Sequence, residues 1–399
     1  MTKIKTNRNN TNNVPPLRFP EFSGEWTKYK VSKLLDFYST NSLSWEQLEY
    51  DTNAIQNLHY GLIHVGLPTM VDLNQNKLPN IKEGSELKNY ELCKEGDVAF
   101  ADASEDTNEV AKAIEFFNLD GAEVVCGLHT IHGRDNNGLT VVGFKGYAFG
   151  STAFHNQIRR IAQGTKIYSI STKNFSECYI GVPCKAEQTK IATLLRLIDA
   201  RISTQNKIIE DLEQLKSAIR ERLYTQIQEE DFEHKTIKDV LSYEHPTKYI
   251  VVDTEYTDDK KLTPVLTANK AFILGYTPEQ ENIYGKGDCI IFDDFTMDIK
   301  FVSFPFKIKS SAIKILTAKT NVNLYFIYEY LLFLNLISEE HKRHYISEIE
   351  PLHIVVPCLV IQHKIAEILQ SIDKQIHNAR QLQSAYQRQK QYLLNQMFI

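Results

Sequence analysis

Cysteine is sparse in this chain, and it never occurs in the closely spaced pairs that hold a zinc ribbon. There are six cysteines among 399 residues, and no two of them form a C-x-x-C pair. Zinc ribbons and the disulfide frameworks of small secreted domains need such spacing, so neither is expected here. The sequence therefore predicts no metal site and buried free thiols at Cys93, Cys126, Cys178, Cys184, Cys289 and Cys358.

Long uninterrupted apolar runs are also missing. The longest apolar stretch, residues 322–337, contains Asn323, Glu329 and Asn335, which is typical of a packed helix rather than a bilayer span. Residues 1–13 are polar and rich in asparagine, so we predict a disordered tail there rather than a secretory signal. We expect a cytoplasmic protein without a membrane role.

The sequence lacks the motifs of the common nucleotide- and metal-dependent enzymes. Residues 138–145 read GLTVVGFK and lack the Gly-Lys-Ser/Thr ending of a phosphate-binding loop. Asp293, Asp294 and Asp298 are too close together in sequence for a nuclease metal site built on a hairpin. We therefore predict a non-catalytic chain that uses no cofactor of its own.

The chain as a whole lacks the strong positive charge that is usual in nucleic-acid-binding proteins, but two of its segments are positively charged. The net charge is −5, which by itself argues against nucleic-acid binding. Residues 134–196, however, hold nine Lys/Arg and three Asp/Glu, and residues 295–319 hold five lysines and one acidic residue, Asp298. Two alternatives stay open: a solvated charge mosaic, or surfaces that face phosphate.

What the sequence does contain is an internal duplication at an offset of 174 residues. Val182-Pro183-Cys184 recurs as Val356-Pro357-Cys358, and Lys190-Ile191-Ala192 recurs as Lys364-Ile365-Ala366. The register continues without a gap from Ile198-Asp199 to Ile372-Asp373, and from Lys216 to Lys390. Such a repeat fixes the architecture before any single motif does.

Both copies carry an apolar seam with alternating spacings of four and three residues, which predicts two long helices that pack on each other. Each helix of about 40 residues would be roughly 60 Å long, close to two turns of DNA. A simple helical hairpin or a homodimer zipper is the alternative. Lys216 and Lys390 occupy equivalent polar seam positions and would help to fix the register. The predicted seam comprises Ile191, Leu195, Ile198, Ile202, Leu212, Ile365, Leu369, Ile372, Ile376 and Leu393.

The segments between the predicted helices are mixed and strand-rich, and they echo each other weakly. Gly96-Asp97 and Gly287-Asp288 each precede a short apolar strand, and residues 31–35 and 237–241 each form a predicted short helix. The predicted fold class is α+β, with two recognition domains separated by two antiparallel coiled-coil helices in a pseudo-two-fold arrangement. The predicted divisions are 1–13 (tail), 14–181 (first domain), 182–230 (first spacer), 231–355 (second domain) and 356–399 (second spacer).

Basic and small polar residues in the strand-rich segments are candidates for DNA contact, with Lys and Arg on phosphates and Asn, Ser, Thr and Arg on base edges. Gly164 would let the backbone near Lys166 approach a partner closely. Surface solvation explains any single candidate equally well. The candidates are Arg134, Lys145, Arg159, Arg160, Lys166, Thr267, Asn269, Lys270, Lys300, Lys307, Lys309, Ser310, Ser311 and Lys314.

The repeated element resembles the specificity subunit of type I restriction-modification systems. The resemblance rests on residues 182–192 with Ile198-Asp199, on the second copy at 356–366 with Ile372-Asp373, and on residues 263–267 and 291–295. Ile361 stands where Glu187 of the first copy matches the family's acidic residue, so the second helix start is expected to be capped less well.

The resemblance implies a bipartite, asymmetric target on double-stranded DNA, with one half-site for each recognition domain. It also implies partners: two methylation subunits that use S-adenosylmethionine, and two restriction subunits that use ATP and magnesium. This chain would carry none of those activities. A coiled-coil scaffold or adaptor that never touches DNA remains the alternative.

Overall fold

The computed structural model describes residues 13–88, 90–268, 271–338 and 342–399. The predicted disordered tail, except for Asn13, lies outside these residues. The chain divides into two compact units. The first unit contains residues 1–206 and 381–399, and the second contains residues 207–380. Each unit is described by itself below.

The first unit combines strands with short helices, and it contains the start of one long helix and the end of another. Its strands are β1 (Thr27–Lys30), β2 (Asp36–Tyr38), β3 (Leu48–Glu49), β4 (Gln56–Leu58), β5 (Met70–Asp72), β6 (Asn80–Ile81), β7 (Val98–Ala101), β8 (Ala103–Ser104), β9 (Ala113–Asn118), β10 (Val124–Cys126), β11 (Thr130–Arg134), β12 (Tyr168–Ser169) and β13 (Tyr179–Val182). Its short helices are α1 (Val31–Leu34), α2 (Tyr60–His64), α3 (Lys145–Phe149), α4 (Thr152–Ile161) and α5 (Thr172–Ser176). The long helix α6 (Lys185–Glu229) begins here and runs into the second unit.

The main sheet of the first unit has the strand order β2-β11-β7-β9-β5. Its pairs are antiparallel except β5 with β9, which is parallel. A second sheet has the order β10-β4-β6-β3, and β1 pairs with β13. The strands alternate with short turns because apolar runs such as Val98–Ala101, buried along their whole length, are preceded by turn residues such as Gly96, which has a φ of +84°.

The second unit is built from the same kinds of element. Its strands are β14 (Glu233–Thr236), β15 (Leu241–Glu244), β16 (Thr263–Leu266), β17 (Ile273–Thr277), β18 (Cys289–Asp293), β19 (Ile299–Val302), β20 (Lys307–Ile308), β21 (Ile313–Ala318) and β22 (His353–Val356). Its short helices are α7 (Ile237–Val240) and α8 (Leu324–Phe333), and the long helix α9 (Leu359–Gln396) begins here and ends in the first unit. Single helical turns lie at Trp45–Gln47 in the first unit, and at Thr247–Tyr249 and Tyr345–Ile349 in the second.

The two units repeat one sheet topology. The order β15-β21-β18-β19 of the second unit corresponds to β2-β11-β7-β9 of the first, and the β14–β22 pair corresponds to β1–β13. The predicted short helices at 31–35 and 237–241 are confirmed as α1 and α7, and the strands predicted after the two Gly-Asp turns are β7 and β18. The remaining sheets differ, since the second unit has β17-β16-β20 where the first has β10-β4-β6-β3.

The long helices are antiparallel in each unit. In the first unit Ile191, Leu195 and Ile198 near the start of α6 share a core with Leu393 and Met397 at the end of α9. In the second unit Ile219 and Leu223 near the end of α6 share a core with Ile365, Ala366 and Leu369 at the start of α9. The predicted seam residues are accordingly buried or half-buried, including Ile202, Leu212, Ile372 and Ile376.

One glutamine fixes the start of each long helix. The Gln188 side chain donates to the carbonyl of Pro183 (2.8 Å) and accepts from the backbone N–H of Val141 (2.8 Å). Gln362 donates to the carbonyl of Pro357 (2.9 Å) and accepts from the backbone N–H of Asn323 (2.9 Å). These bonds pair backbone groups that burial would otherwise leave unsatisfied.

The residue before each of these glutamines has a different role in the two copies. Glu187 is fully buried and accepts two hydrogen bonds of 2.7 Å from the Arg18 guanidinium. Ile361 packs against the core of the second unit. The substitution therefore replaces an ion pair with an apolar contact.

The apolar stretch that the sequence assigned to a packed helix is α8, and its residues Phe326, Ile327 and Leu331 are buried. Within the described ranges, none of the helices combines the length and apolar character needed to cross a membrane. The prediction of buried thiols fits Cys93, Cys126, Cys178 and Cys289, but Cys184 and Cys358 are exposed. Both follow the proline that ends a strand, where the chain turns outward into a long helix.

Candidate nucleic-acid interface

Arg134 is the most buried arginine among the candidates. It lies on β11, and its guanidinium donates twice to the Asp97 carboxylate (both 2.8 Å) and also to Glu91 (2.7 Å) and the carbonyl of Leu92 (2.7 Å). It also lies over the Tyr38 ring, 4.5 Å from the ring centre. The hydrogen bonds to Asp97 raise the pKa of Arg134 above its usual value. The structure places this side chain in a network within the first unit.

Lys145 is also placed inside the first unit. It begins α3, and its ammonium lies 3.1 Å from the Glu115 carboxylate and 3.1 Å from the Thr140 hydroxyl. Glu115 is completely buried and accepts the backbone N–H groups of Gly143 (2.9 Å) and Gly146 (2.8 Å). Burial raises the pKa of Glu115 despite the neighbouring lysine. The pair therefore ties the loop before α3 to β9.

Arg159 and Arg160 lie in the last turn of α4 and are exposed. The Arg159 guanidinium donates to the Asn108 side chain (2.7 Å) and to the Asn156 side chain (2.9 Å). Asn108 belongs to the loop that follows β8. Positive charge at a helix C-terminus complements the helix dipole, and two adjacent arginines also present a cationic patch to solvent.

Lys166 lies in a tight loop that leads into β12 and is exposed. Gln163 and Ser169 close the loop with two backbone hydrogen bonds of 2.9 Å and 2.8 Å. Gly164 has a φ of +136°, and a Cβ there would lie 1.9 Å from the carbonyl oxygen of Ile167. The loop's own backbone therefore requires a glycine at this position. From the sequence alone, Gly164 is expected to allow the close approach of a partner.

A cavity of about 600 Å³ lies beside this loop, in a region that the sequence did not single out. The Tyr60 and His129 rings meet edge to face in its wall, 5.2 Å apart, and Ile167 is exposed at 62%. The wall also contains Glu105, Asp106 and Glu109. These groups come from four separate stretches of chain, so no spacing in the sequence could reveal them. The negative charge of the three acidic residues suits hydrogen-bond donors of a ligand better than phosphates.

In the second unit two candidate lysines are buried in ion pairs. Lys307 on β20 lies 2.6 Å from the Glu279 carboxylate, and Lys314 on β21 lies 3.4 Å from the Asp294 carboxylate. Both lysines are at most 3% exposed. Backbone N–H groups at Asp253 and Val252, together with Lys307, hold the pKa of Glu279 below its usual value.

The exposed candidates of the second unit lie in the turn between β20 and β21. Lys309, Ser310 and Ser311 are exposed, and the backbone N–H of Lys309 donates to the carbonyl of Leu266 (3.1 Å). This bond brings the turn beside Thr267, which is itself buried. Lys300 on β19 is half-buried. Asn269 and Lys270 lie outside the described residues.

Two equivalent clasps hold the long helices in place, and each lies within one unit. In the first, the Tyr147 hydroxyl donates to Asp199 (2.8 Å) and the Lys390 ammonium lies 2.7 Å from the same carboxylate. In the second, Tyr325 donates to Asp373 and Lys216 lies 2.6 Å from that carboxylate. Burial raises the pKa of both tyrosines, so both stay protonated donors.

The repeat identifies the Asp and Lys of each clasp, because both pairs obey the 174-residue offset. The tyrosines come from outside the duplicated segment, and sequence reasoning missed them. Lys216 is 10% exposed and Lys390 is 20% exposed. Each of the two seam lysines thus forms an ion pair with a carboxylate of the other long helix, and their role in fixing the register stays a prediction.

The long helices also present apolar side chains to solvent. Ile208 and Leu382 are 41% and 45% exposed, and they are equivalent positions of the repeat. Leu197, Leu215 and Tyr392 are exposed as well. A large apolar side chain on a helix normally faces the core, so a repeated exposed position is a candidate contact for another protein.

Comparison with known proteins gives one family. A family model described as the type I restriction modification DNA specificity domain matches residues 72–214 and, again, residues 229–385. A curated relative, the type I restriction enzyme EcoR124I/EcoR124II specificity subunit of Escherichia coli, is 43% identical over 144 residues, which cover 33% of this chain. That match spans only 35% of the relative's own length.

Two solved structures share the fold. The S subunit of a type I restriction-modification system from M. genitalium has a TM-score of 0.61 and 15% identity, covering 97% of this chain and 99% of that chain. A structure concerned with complex assembly and conformational transition of the type I R-M system has a TM-score of 0.52 and 13% identity, covering 95% of this chain and 98% of that chain. The predicted fold class of two mixed domains with long antiparallel helices is confirmed.

Proposed function

Because the chain belongs to the type I restriction modification DNA specificity family, we propose that it reads a bipartite, asymmetric DNA target. The observation that carries the proposal is the repetition of one sheet order in two units whose remaining sheets and loops differ. A shared scaffold with unlike peripheral parts suits two half-sites of different sequence. The chain would recognise DNA without catalysing a reaction, and its partners would use S-adenosylmethionine, ATP and magnesium.

The proposed phosphate contacts are the exposed members of the candidate set. In the first unit these are Arg159, Arg160 and Lys166, and in the second unit Lys309 with its neighbouring serines. Exposed cations can neutralise phosphates without first leaving a buried ion pair. The candidates with buried ion pairs, such as Arg134 and Lys307, would support the reading surface from within.

Methylome sequencing tests the reading role most directly. Cells that express this chain together with its candidate methylation subunit should acquire a split adenine-methylated motif, and neither protein alone should produce it. Replacing residues 231–355 with the corresponding segment of another member should change one half of the motif only. An unchanged methylome with both proteins present would instead favour the scaffold without DNA contact.

Single substitutions test the phosphate contacts. Arg159→Ala, Lys166→Ala or Lys309→Ala in the assembled methyltransferase should weaken binding to all DNA sequences similarly. Each should also reduce the slope of log K against log salt by about one unit. Lys173→Ala changes an exposed lysine of the first unit that is not a candidate, and it serves as the control. An equal slope for Lys166→Ala and Lys173→Ala would remove Lys166 from the interface.

We further propose that the exposed apolar positions of the long helices dock the methylation subunits. The equivalence of Ile208 and Leu382 supports two docking faces and hence two methylation subunits for each chain. Ile208→Glu or Leu382→Glu alone should reduce the assembly to one methylation subunit, measured by native mass spectrometry. Lys207→Ala, at a neighbouring exposed position, should retain two. Restriction subunits would join the same assembly.

The helices would also set the gap between the half-sites. Inserting one helical turn after Ser217, with a matching turn in α9, should change the spacing of the methylated motif or abolish methylation. A motif with its original gap would contradict this role for the helices.

A further inference from the structure

Three potential metal ligands converge in the first unit, although they are distant in the sequence. Cys93 precedes the Gly96-Asp97 turn, Cys126 ends β10, and His132 lies on β11. Their ligand atoms all lie within 4.8 Å of one another, and all three residues are buried. Among the described residues, no other group of three or more such side chains lies close enough together to hold a metal ion.

The spacing of the two sulfurs suits a metal ion. The Sγ atoms of Cys93 and Cys126 are 3.6 Å apart. This separation is far longer than a disulfide bond of about 2.05 Å. Two sulfurs that each lie about 2.3 Å from a tetrahedral zinc ion would be about 3.8 Å apart. The sulfurs therefore need to move only slightly to hold zinc.

The hydrogen bonding of His132 suits a metal ligand as well. Its Nε2 lies 2.7 Å from the Asp97 carboxylate, so a neutral ring carries its proton on Nε2 and a lone pair on Nδ1. Nδ1 is buried and has no hydrogen-bond partner among the described residues. A carboxylate that orients the second nitrogen of a histidine is the usual support of a zinc ligand. The metal would satisfy an otherwise unpaired buried nitrogen.

The charges around the cluster would also balance. Among the buried groups, two thiolates and Asp97 contribute three negative charges, while a divalent ion and Arg134, which binds Asp97 through two hydrogen bonds of 2.8 Å, contribute three positive charges. Glu91, the other carboxylate on Arg134, is 37% exposed to solvent. A buried group of charges is tolerated when it is paired in this way. Sulfur and imidazole ligands favour zinc over magnesium or calcium.

We propose that Cys93, Cys126 and His132 bind a zinc ion in the first unit, with Asp97 orienting His132. The ion displaces the two thiol protons to solvent and leaves one coordination position for water. It would join β10, an edge strand of one sheet, to β11 of the main sheet, and would stabilise the first recognition domain. Cys289, in β18 of the second unit, is buried beside Tyr284 and belongs to no such group among the described residues.

Cobalt substitution of the purified, reduced full-length chain tests the proposal. The expected result is one Co²⁺ bound per chain, with tetrahedral d–d bands and thiolate-to-cobalt charge transfer, all displaced by Zn²⁺. Cys126→Ser should abolish the charge-transfer band and the saturable binding. Cys178→Ser removes a buried cysteine of the same unit outside the cluster and should bind like the wild type. Asp97→Asn should weaken binding by roughly 10- to 100-fold.

Three results would overturn the site. The wild-type chain could bind cobalt without thiolate charge transfer, Cys126→Ser could bind as tightly as Cys178→Ser, or mass spectrometry of freshly isolated chain could find a Cys93–Cys126 disulfide. The wild-type spectrum and the disulfide analysis need no variant, so they decide the matter even if a substituted chain fails to fold.

Discussion

The two Gly-Asp turns look alike in sequence, but their surroundings differ. Asp97 of the first unit is 1% exposed and binds both His132 (2.7 Å) and Arg134 (2.8 Å). Asp288, its counterpart in the second unit, is exposed. Both turns feed a central strand of the same sheet topology. The two units therefore share a sheet topology, while side chains at equivalent positions of that topology make different contacts.

The helical clasps show the opposite behaviour, because the same three side-chain types recur in both units. Their surroundings still differ. In the second unit Lys216 also lies 2.7 Å from Glu329, a fully buried carboxylate that Arg220 contacts at 2.7 Å. In the first unit the buried Glu115 is paired with Lys145, and Lys390 approaches the Thr69 hydroxyl (3.4 Å) and the face of the Tyr147 ring (5.6 Å) besides Asp199. The second clasp therefore differs in having a fully buried carboxylate, Glu329, beside its lysine, although Asp373 itself is 42% exposed and Asp199 only 19%.

Equivalent substitutions in the two units should differ most in their effect on stability at the Gly-Asp turns. Asp97→Asn should lower the free energy of unfolding of the first unit by about 3–5 kcal/mol, because it leaves Arg134 without its buried partner. Asp288→Asn should leave stability close to wild type, as usual for exposed positions. Denaturant unfolding with hydrogen exchange at β7 and β18 measures both effects. Equal losses would show that the two turns are equivalent after all.

Equivalent substitutions at the two clasps should show an intermediate difference in their effect on stability. Lys216→Ala should destabilise the second unit by about 2–3 kcal/mol, because the fully buried Glu329 loses one of its two cationic partners and keeps Arg220. Lys390→Ala should cost the first unit about 1 kcal/mol, since Asp199 is partly exposed to water and still accepts the hydrogen bond of Tyr147. Hydrogen exchange in α8 and α3 assigns each loss to its unit, and Lys207→Ala serves as the control on α6. A greater loss from Lys390→Ala would reverse the ranking of the clasps.

Substitutions at the N-cap residues of the short helices α1 and α7 should show the smallest difference in their effect on stability. Thr236 caps α7 in a reciprocal pair with Asp239, whereas Lys30 caps α1 without a side-chain hydrogen bond. Thr236→Ala should cost about 1 kcal/mol, while Lys30→Ala should have little effect. Both are measured by denaturant unfolding. A loss from Lys30→Ala as large as that from Thr236→Ala would contradict the capping argument.

The cap of α7 should also depend on pH. The hydrogen bond from Thr236 lowers the pKa of Asp239 in the folded chain. Its stabilisation is present above the pKa of the unfolded chain and fades as pH falls through the lower folded pKa. The stability difference between wild type and Thr236→Ala should therefore narrow on acidification. A difference that is constant across this range would show that Asp239 is not involved.

Much of the architecture could be predicted because it depends on local and repeated patterns. The seam from Ile191 to Leu223 and its copy in α9 predicted both long helices, and alternating turns and apolar runs predicted β7 and β18. The residues of the proposed DNA-contact surface were harder to predict from the sequence. Arg134 and Arg159 have the same charge in the sequence, but only the fold shows that one meets buried Asp97 and the other faces solvent.

The sequence alone determined the duplication, the helical spacers and their equivalent polar positions at Lys216 and Lys390, because a fixed offset and a helical period are written in residue order. The tertiary structure alone decided which cations are consumed by internal ion pairs, which tyrosines complete the clasps, and that Cys93, Cys126 and His132 meet. Those outcomes depend on how strands from distant parts of the chain pair in space, and short-range spacing carries no information about that pairing.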